Sequence, residues 1–113
     1  MTAGERGETL ALDYLRKQGY RLLDRNWRFG HRELDLVMLE GETVVFVEVK
    51  ARSSTAFGTP GAFVDGEKRG NLIRAAEAYL VQKGLTEAFT RFDVVEVYLR
   101  EGRIAHIPDA FTA

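Results

Sequence analysis

Two runs rich in Val, Leu and Phe, Glu33 to Leu39 and Thr43 to Arg52, flank the short segment Glu40-Gly41-Glu42. Such runs suit a pleated surface, and Gly41 can take the positive φ of a tight turn, so the pattern predicts a β-hairpin. With Gly41-Glu42 as a two-residue loop, Glu40 faces Thr43, and the same register sets Asp35 opposite Glu48. Strand side chains alternate with a period of two. Val44, Phe46, Glu48 and Lys50 therefore share one face, while Val45, Val47 and Val49 line the other. A strand apolar on both faces is usually buried on both. Its charges are then at least partly desolvated and need a partner, a metal or a functional role. Two carboxylates facing each other repel unless a cation lies between them. The competing reading is a set of ordinary charges on a solvated strand face.

The rest of the chain supplies elements to pack around this hairpin. Residues 4–18 read as a helix, with Ala11, Leu12 and Leu15 at helical spacing and Gly19 as a stop. Tyr20 to Trp27 reads as a strand, with a turn at Phe29-Gly30-His31. Ser53 to Phe63 reads as a long loop carrying Gly58, Pro60 and Gly61, and loops of that length are often functional. Residues 65–83 make a second helix with Leu72, Ala76, Tyr79 and Leu80 inward and Gly84 as its stop. Arg91 to Leu99 and Arg103 to Ile107 form a closing pair of strands. The order α-β-β-β-α-β-β gives a mixed sheet flanked by helices. With 113 residues and no linker or repeat, one domain spanning 1–113 is expected.

Composition narrows the function. There are no cysteines, which excludes disulfides and cysteine-ligated zinc, and His31 and His106 are too few and too scattered for a histidine zinc site. No stretch approaches a membrane span and the N-terminus lacks a signal-peptide pattern, so a cytoplasmic location is expected. The net charge of −1 hides an uneven distribution. Arg16, Lys17, Arg21, Arg25, Arg28 and Arg32 precede a segment, Glu33 to Glu48, that holds five acids and no base. An acidic centre beside basic stretches suits a cation site that also holds an anionic polymer; solvation of a helix end and a strand edge explains part of the same pattern. Glu8 sits at the N-terminal end of the inward helical stripe, where it could approach the sheet or interact with the helix dipole.

These residues carry a resemblance. Gly7-Glu8-x-x-Ala11-x-x-Tyr14-Leu15, Gly19-Tyr20, Arg25-Asn26-x-Arg28, Glu33-Leu34-Asp35-Leu36-Val37, Phe46-Val-Glu-Val-Lys-Ala-Arg52, Phe57-Gly58-x-Pro60 and Arg91-Phe92-Asp93-Val94-Val95 resemble the bacterial YraN-like family, in order over nearly the whole chain. That family is similar in fold to the PD-(D/E)XK, or restriction-endonuclease-like, nucleases and especially to archaeal Holliday-junction resolvases. The resemblance implies that Asp35, Glu48 and Lys50 occupy the core motif, with Glu8 as an additional helix acid. Two positions depart from the pattern. Leu34 stands where the superfamily name implies proline, and Arg32 where the family usually has glycine.

The expected activity is therefore metal-dependent hydrolysis of phosphodiester bonds in DNA, with branched or junction substrates foremost. Asp35 and Glu48 are expected to hold Mg²⁺ or Mn²⁺, and Lys50 to assist the attacking water or the transition state. Glu8 is expected to act behind the metal or as a ligand of a second one. Arg25, Arg28, Arg52, Lys68 and Arg69 are candidates for nucleic-acid contacts, each weighed against simple surface solvation. Trp27, with Arg25 and Arg28, could stack on a base, with core packing as the alternative; Tyr79 reads as core. Besides nucleic acid, a second copy of the chain is an expected partner. Two other readings stay open: a nuclease fold that binds nucleic acid without cutting it, and a protein-interaction module in which Lys50 bridges the acids.

Overall fold

The computed structural model describes residues 1–53 and 66–113. Helix α1 spans Ala3–Lys17 and begins with a full capping box, in which Thr2 Oγ1 accepts from the Glu5 amide and the Glu5 carboxylate accepts from the Thr2 amide. Strands β1 (Arg21–Phe29), β2 (Arg32–Glu40) and β3 (Thr43–Arg52) follow, then α2 (Gly66–Gln82), β4 (Phe89–Tyr98) and β5 (Arg103–Phe111). This is the expected α-β-β-β-α-β-β order. The strands lie in one sheet in the order β1-β2-β3-β4-β5, with β3 and β4 parallel and every other neighbouring pair antiparallel. A parallel pair cannot be joined by a tight turn, and α2 lies in the connection between β3 and β4. Residues 54–65, which take in all of the expected Ser53–Phe63 loop but Ser53 and with it the Phe57-Gly58-x-Pro60 motif, lie outside the described residues.

The apolar alternation of β3 feeds two cores. Val45 and Val47 join Ala11, Leu12, Leu15, Leu36, Met38, Val95 and Val97 beneath α1. Val44 and Phe46 join Val37, Leu72, Ala76, Tyr79 and Phe92 beneath α2. Both helices also approach the central strands closely. A Cβ on Gly7 would lie 2.8 Å from the Ala51 Cβ, so only glycine lets the first turns of α1 rest this tightly on the end of β3.

Element ends differ from the sequence reading in two places with physical causes. β1 continues through Phe29, because Phe29 still pairs with Arg32, and the turn shrinks to Gly30-His31. β5 runs past Pro108 to Phe111: the ladder is interrupted after the Val94–Ile107 pair and resumes at Phe92–Phe111. The intervening bulge carries Asp109 at φ 51°, and it tolerates a proline that a regular ladder would not.

Candidate active site

The hairpin register agrees with expectation over five pairs, Glu40–Thr43 through Leu36–Val47, with Gly41 at φ 58°. The ladder stops there. At the next level the Asp35 carboxylate accepts the Val49 amide at 2.9 Å, so a side chain takes the place of a backbone acceptor.

A change of face accompanies the end of the ladder. Arg25 reaches Thr9 on α1 through its guanidinium at 3.0 Å, yet Trp27, two residues later, packs edge-on to Tyr79 of α2. Across the ladder, Leu36 lies with the α1 core and Leu34 with the α2 core. Positions i and i+2 of a regular strand share a face; here both strands exchange faces at the level of Asn26 and Asp35. Asn26 makes this local inversion with φ 53°, a conformation asparagine tolerates better than most side chains.

The inversion turns Glu33 and Asp35 toward the start of α1. Glu8, Glu33 and Asp35 each offer a carboxylate oxygen within 4.8 Å of the others. Asn26 donates its amide to Glu8 Oε1 at 3.0 Å and Glu33 Oε1 at 3.1 Å, holding the two acids side by side. Glu33 and Asn26 are thus members of the cluster that sequence reasoning left out of the site. The Glu33-x-Asp35 spacing, two acids two residues apart on one strand, was the signal that could have included Glu33.

Glu48 comes to the same place from the α2 side and is only 8 % exposed. Its Oε1 lies 3.3 Å from Lys68 Nζ in the first turn of α2, and its buried Oε2 has no hydrogen-bond partner among the described residues. Burial, then the charge of Glu48, pushes the Asp35 carboxyl up to about 8, with Glu8 adding to the shift and the Val49 amide opposing it. A neutral Asp35 can donate to Glu48, which favours the protonated form further. Four acids therefore converge where β2 and β3 part, close enough that one of them is held protonated.

The candidate cations fall into two groups. Three border the acids: Arg25 Nε lies 3.7 Å from Glu8, Arg28 pairs with Glu33 at 2.8 Å, and Lys68 pairs with Glu48. The others are engaged elsewhere. Arg52 donates to the buried Glu96 at 2.7 Å, and Arg69 lies over the Phe111 ring. Lys50 sits on the Glu48 face of β3 by alternation, level with Glu96 on β4. Tyr79 is core, as expected, and its hydroxyl donates to Asp24 at 2.8 Å.

A second polar network lies apart from these acids and is structural. Asp93, with no exposed surface, accepts from Arg91 and from the Asp109 amide, and its Oδ2 is 2.8 Å from His106 Nε2. Arg91 also binds Glu40 and the Tyr20 hydroxyl. His106 is thus part of this core network, between the rings of Tyr14 and Tyr20.

Fold and site together define a small mixed α/β protein with a half-buried carboxylate cluster at the opening between two central strands. No helix among the described residues is long and apolar enough to cross a membrane. The chain belongs to the family described as uncharacterised protein family UPF0102, whose model matches residues 7–97. It is 47 % identical to a UPF0102 protein of Chlorobium chlorochromatii, covering 96 % of this chain and 89 % of the relative. A UPF0102 protein of Moorella thermoacetica is 48 % identical, covering 92 % of this chain and 88 % of the relative.

Proposed function

We propose that this chain is a divalent-metal-dependent nuclease of the PD-(D/E)XK type, acting on phosphodiester bonds in DNA, with branched or junction substrates foremost. One observation carries the reading: the buried Oε2 of Glu48, which finds no donor among the described residues unless Asp35 is protonated, beside an Asp35 carboxyl pushed up to about 8. An unsatisfied buried carboxylate is costly, and a cation relieves both this cost and the repulsion from Asp35. The donor set fits Mg²⁺ or Mn²⁺, because every candidate ligand is a carboxylate oxygen. Asp35 and Glu48 would hold the ion, with Glu8 and Glu33 as further ligands or as hydrogen-bond acceptors behind it. Bound there, the ion would supply Lewis acidity and a more acidic water.

The chain's own residues account for the remaining work. Asn26 keeps Glu8 and Glu33 together without adding charge. Lys50, on the same face as Glu48, brings an ammonium toward a phosphate held at the acids, where it can stabilise transition-state charge or orient water. Arg25 and Arg28 border the cluster and attract the nucleic-acid backbone. The test is cleavage of branched, flapped and single-stranded substrates with Mg²⁺ or Mn²⁺, run beside Lys50→Ala. Metal-dependent cutting that this variant loses supports the reading; equal rates in the two preparations overturn it.

One contact favours a second reading, binding without cleavage. Lys68 already supplies Glu48 with a counter-ion at 3.3 Å. On that reading, metal leaves stability and nucleic-acid affinity unchanged.

A further inference from the structure

We propose that the open groove between β1 and the outer face of α2 binds an unpaired nucleobase of a single-stranded nucleic acid. The inference rests on the nuclease reading and specifies where the substrate's unpaired portion lies. The groove has a volume of about 490 Å³, with Trp27 and Phe29 on one wall and Arg74, Glu77, Ala78 and Val81 on the other. Phe29 is 46 % exposed and Val81 70 %, so both walls present apolar surface to solvent. β1 is an edge strand, so the aromatic wall is open on one side.

Ring geometry and charge point to a base as the occupant. The Trp27 and Phe29 planes are within 4° of each other, with centroids 6.4 Å apart. Tyr79 fixes the Trp27 ring edge-on from below, at 5.2 Å. Two parallel, pre-positioned rings suit stacking on another flat ring, and base–aromatic stacking tolerates any base. Cations are placed for the attached phosphates. Arg74 lies on the groove wall, its Nη1 so close to the Gly70 backbone that a Cβ there would be 3.0 Å away. Arg32, the cross-strand partner of Phe29, lies at the turn end and donates to Asn71 of α2. Glu77 on the same wall disfavours phosphate further along, which leaves the backbone the Arg32–Arg74 end.

The groove and the acids share one edge strand. Arg28, between Trp27 and Phe29 in β1, pairs with Glu33 of the carboxylate cluster. The two sites therefore lie on opposite faces of β1, and a nucleic-acid strand reaches from one to the other round this open edge of the sheet.

Trp27 is the sole tryptophan, so its emission reports on the groove directly. Oligothymidylate is titrated in the presence of chelator while Trp27 emission is followed, and the anisotropy of a labelled copy gives its affinity. The expected result is a saturable change in emission. Phe29→Ala and Arg74→Ala, both at exposed positions, are expected to keep the parent melting temperature and to weaken affinity at least about tenfold, the size of one stacking or phosphate contact. Unchanged affinity in both variants, with silent Trp27 emission, overturns the groove proposal and leaves the nuclease reading standing. Failure of the parent to bind any branched or single-stranded oligonucleotide overturns both. A dimer in sedimentation that Val81→Glu dissociates, with Trp27 indifferent to oligonucleotide, assigns the groove to a second copy of the chain and overturns the proposal.

Discussion

Asp35 and Val49 are joined by a side-chain-to-backbone hydrogen bond of 2.9 Å at the level where the β2–β3 ladder has ended. The bond holds the two strands together and fixes the Asp35 carboxyl beside Glu48. It also lowers the cost of ionising a carboxyl that burial and Glu48 otherwise hold protonated.

The first prediction concerns metal. Ions that bind the folded state raise its stability by mass action, so saturating Mg²⁺ or Mn²⁺ should raise the melting temperature. Asp35→Asn keeps an acceptor for the Val49 amide and removes the charge, and should abolish the increase without unfolding the protein. Thermal melts with chelator and with metal provide the check. A melting temperature indifferent to both ions would sink the shared metal site.

The second follows from the raised Asp35 carboxyl. A carboxyl at about 8 in the folded state, against an ordinary 3.8, leaves the folded form holding a proton that the unfolded chain has released. Between these values the unfolded state binds fewer protons, so stability in chelator should fall as pH rises from about 4 to about 8. Asp35→Asn should flatten the fall, and metal should reverse it by favouring the ionised form. Denaturant melts across this range measure the slope.

The hairpin and its register were legible in the sequence because Gly41 marks the turn and the two-residue period of β3 leaves one consistent pairing. The exchange of faces at Asn26 and Asp35 was not. A single residue at positive φ reverses the outward and inward positions beyond it, and asparagine adopts that conformation in some places and not in others. Glu33 was therefore not among the site residues read from the sequence, although it sits with Glu8 and Asp35. Arg52 and Arg69 were grouped with the phosphate-binding cations by charge alone, and their contacts with Glu96 and Phe111 depend on tertiary packing. The extension of β5 was hidden by Pro108, which normally ends a paired strand.

The third prediction separates the two roles of Asn26. Asn26→Gly keeps the left-handed backbone and removes two exposed hydrogen bonds, costing on the order of 1 kcal/mol. Asn26→Ala loses the same bonds and adds roughly 1 kcal/mol of backbone strain. Urea unfolding should rank the parent above glycine and glycine above alanine. Equal stability of the two variants would remove the backbone argument.

The fourth is kinetic. Lys50→Ala should bind a labelled substrate nearly as well as the parent and cut it at least about a hundredfold more slowly, the size expected of one acid–base or electrostatic group. Single-turnover cleavage makes the comparison, since it separates the chemical step from binding.

The fifth concerns the buried network. Burial raises the Asp93 carboxyl, but the bonds to His106, Arg91 and the Asp109 amide outweigh this and leave it below its ordinary value. Its stabilising contribution is therefore present above the unfolded value and lost as pH falls through the folded one. Asp93→Ala leaves the guanidinium of Arg91 without its buried partner and should cost about 3–5 kcal/mol. Denaturant unfolding at neutral pH tests the size. A loss under about 1 kcal/mol would mean that the network contributes little.

The bare backbone of Gly7 against Ala51 gives the acid cluster its scale. Glu8 is the next residue, so the spacing between its carboxylate and those of β2 is calibrated by a methyl group that is not there. Adding that single carbon would lever the front of the helix outward and widen the span between acids on different elements, with every acid still in the chain. On the proposed metal-binding reading, the span open to an ion is thus set by a residue that has no side chain with which to bind anything.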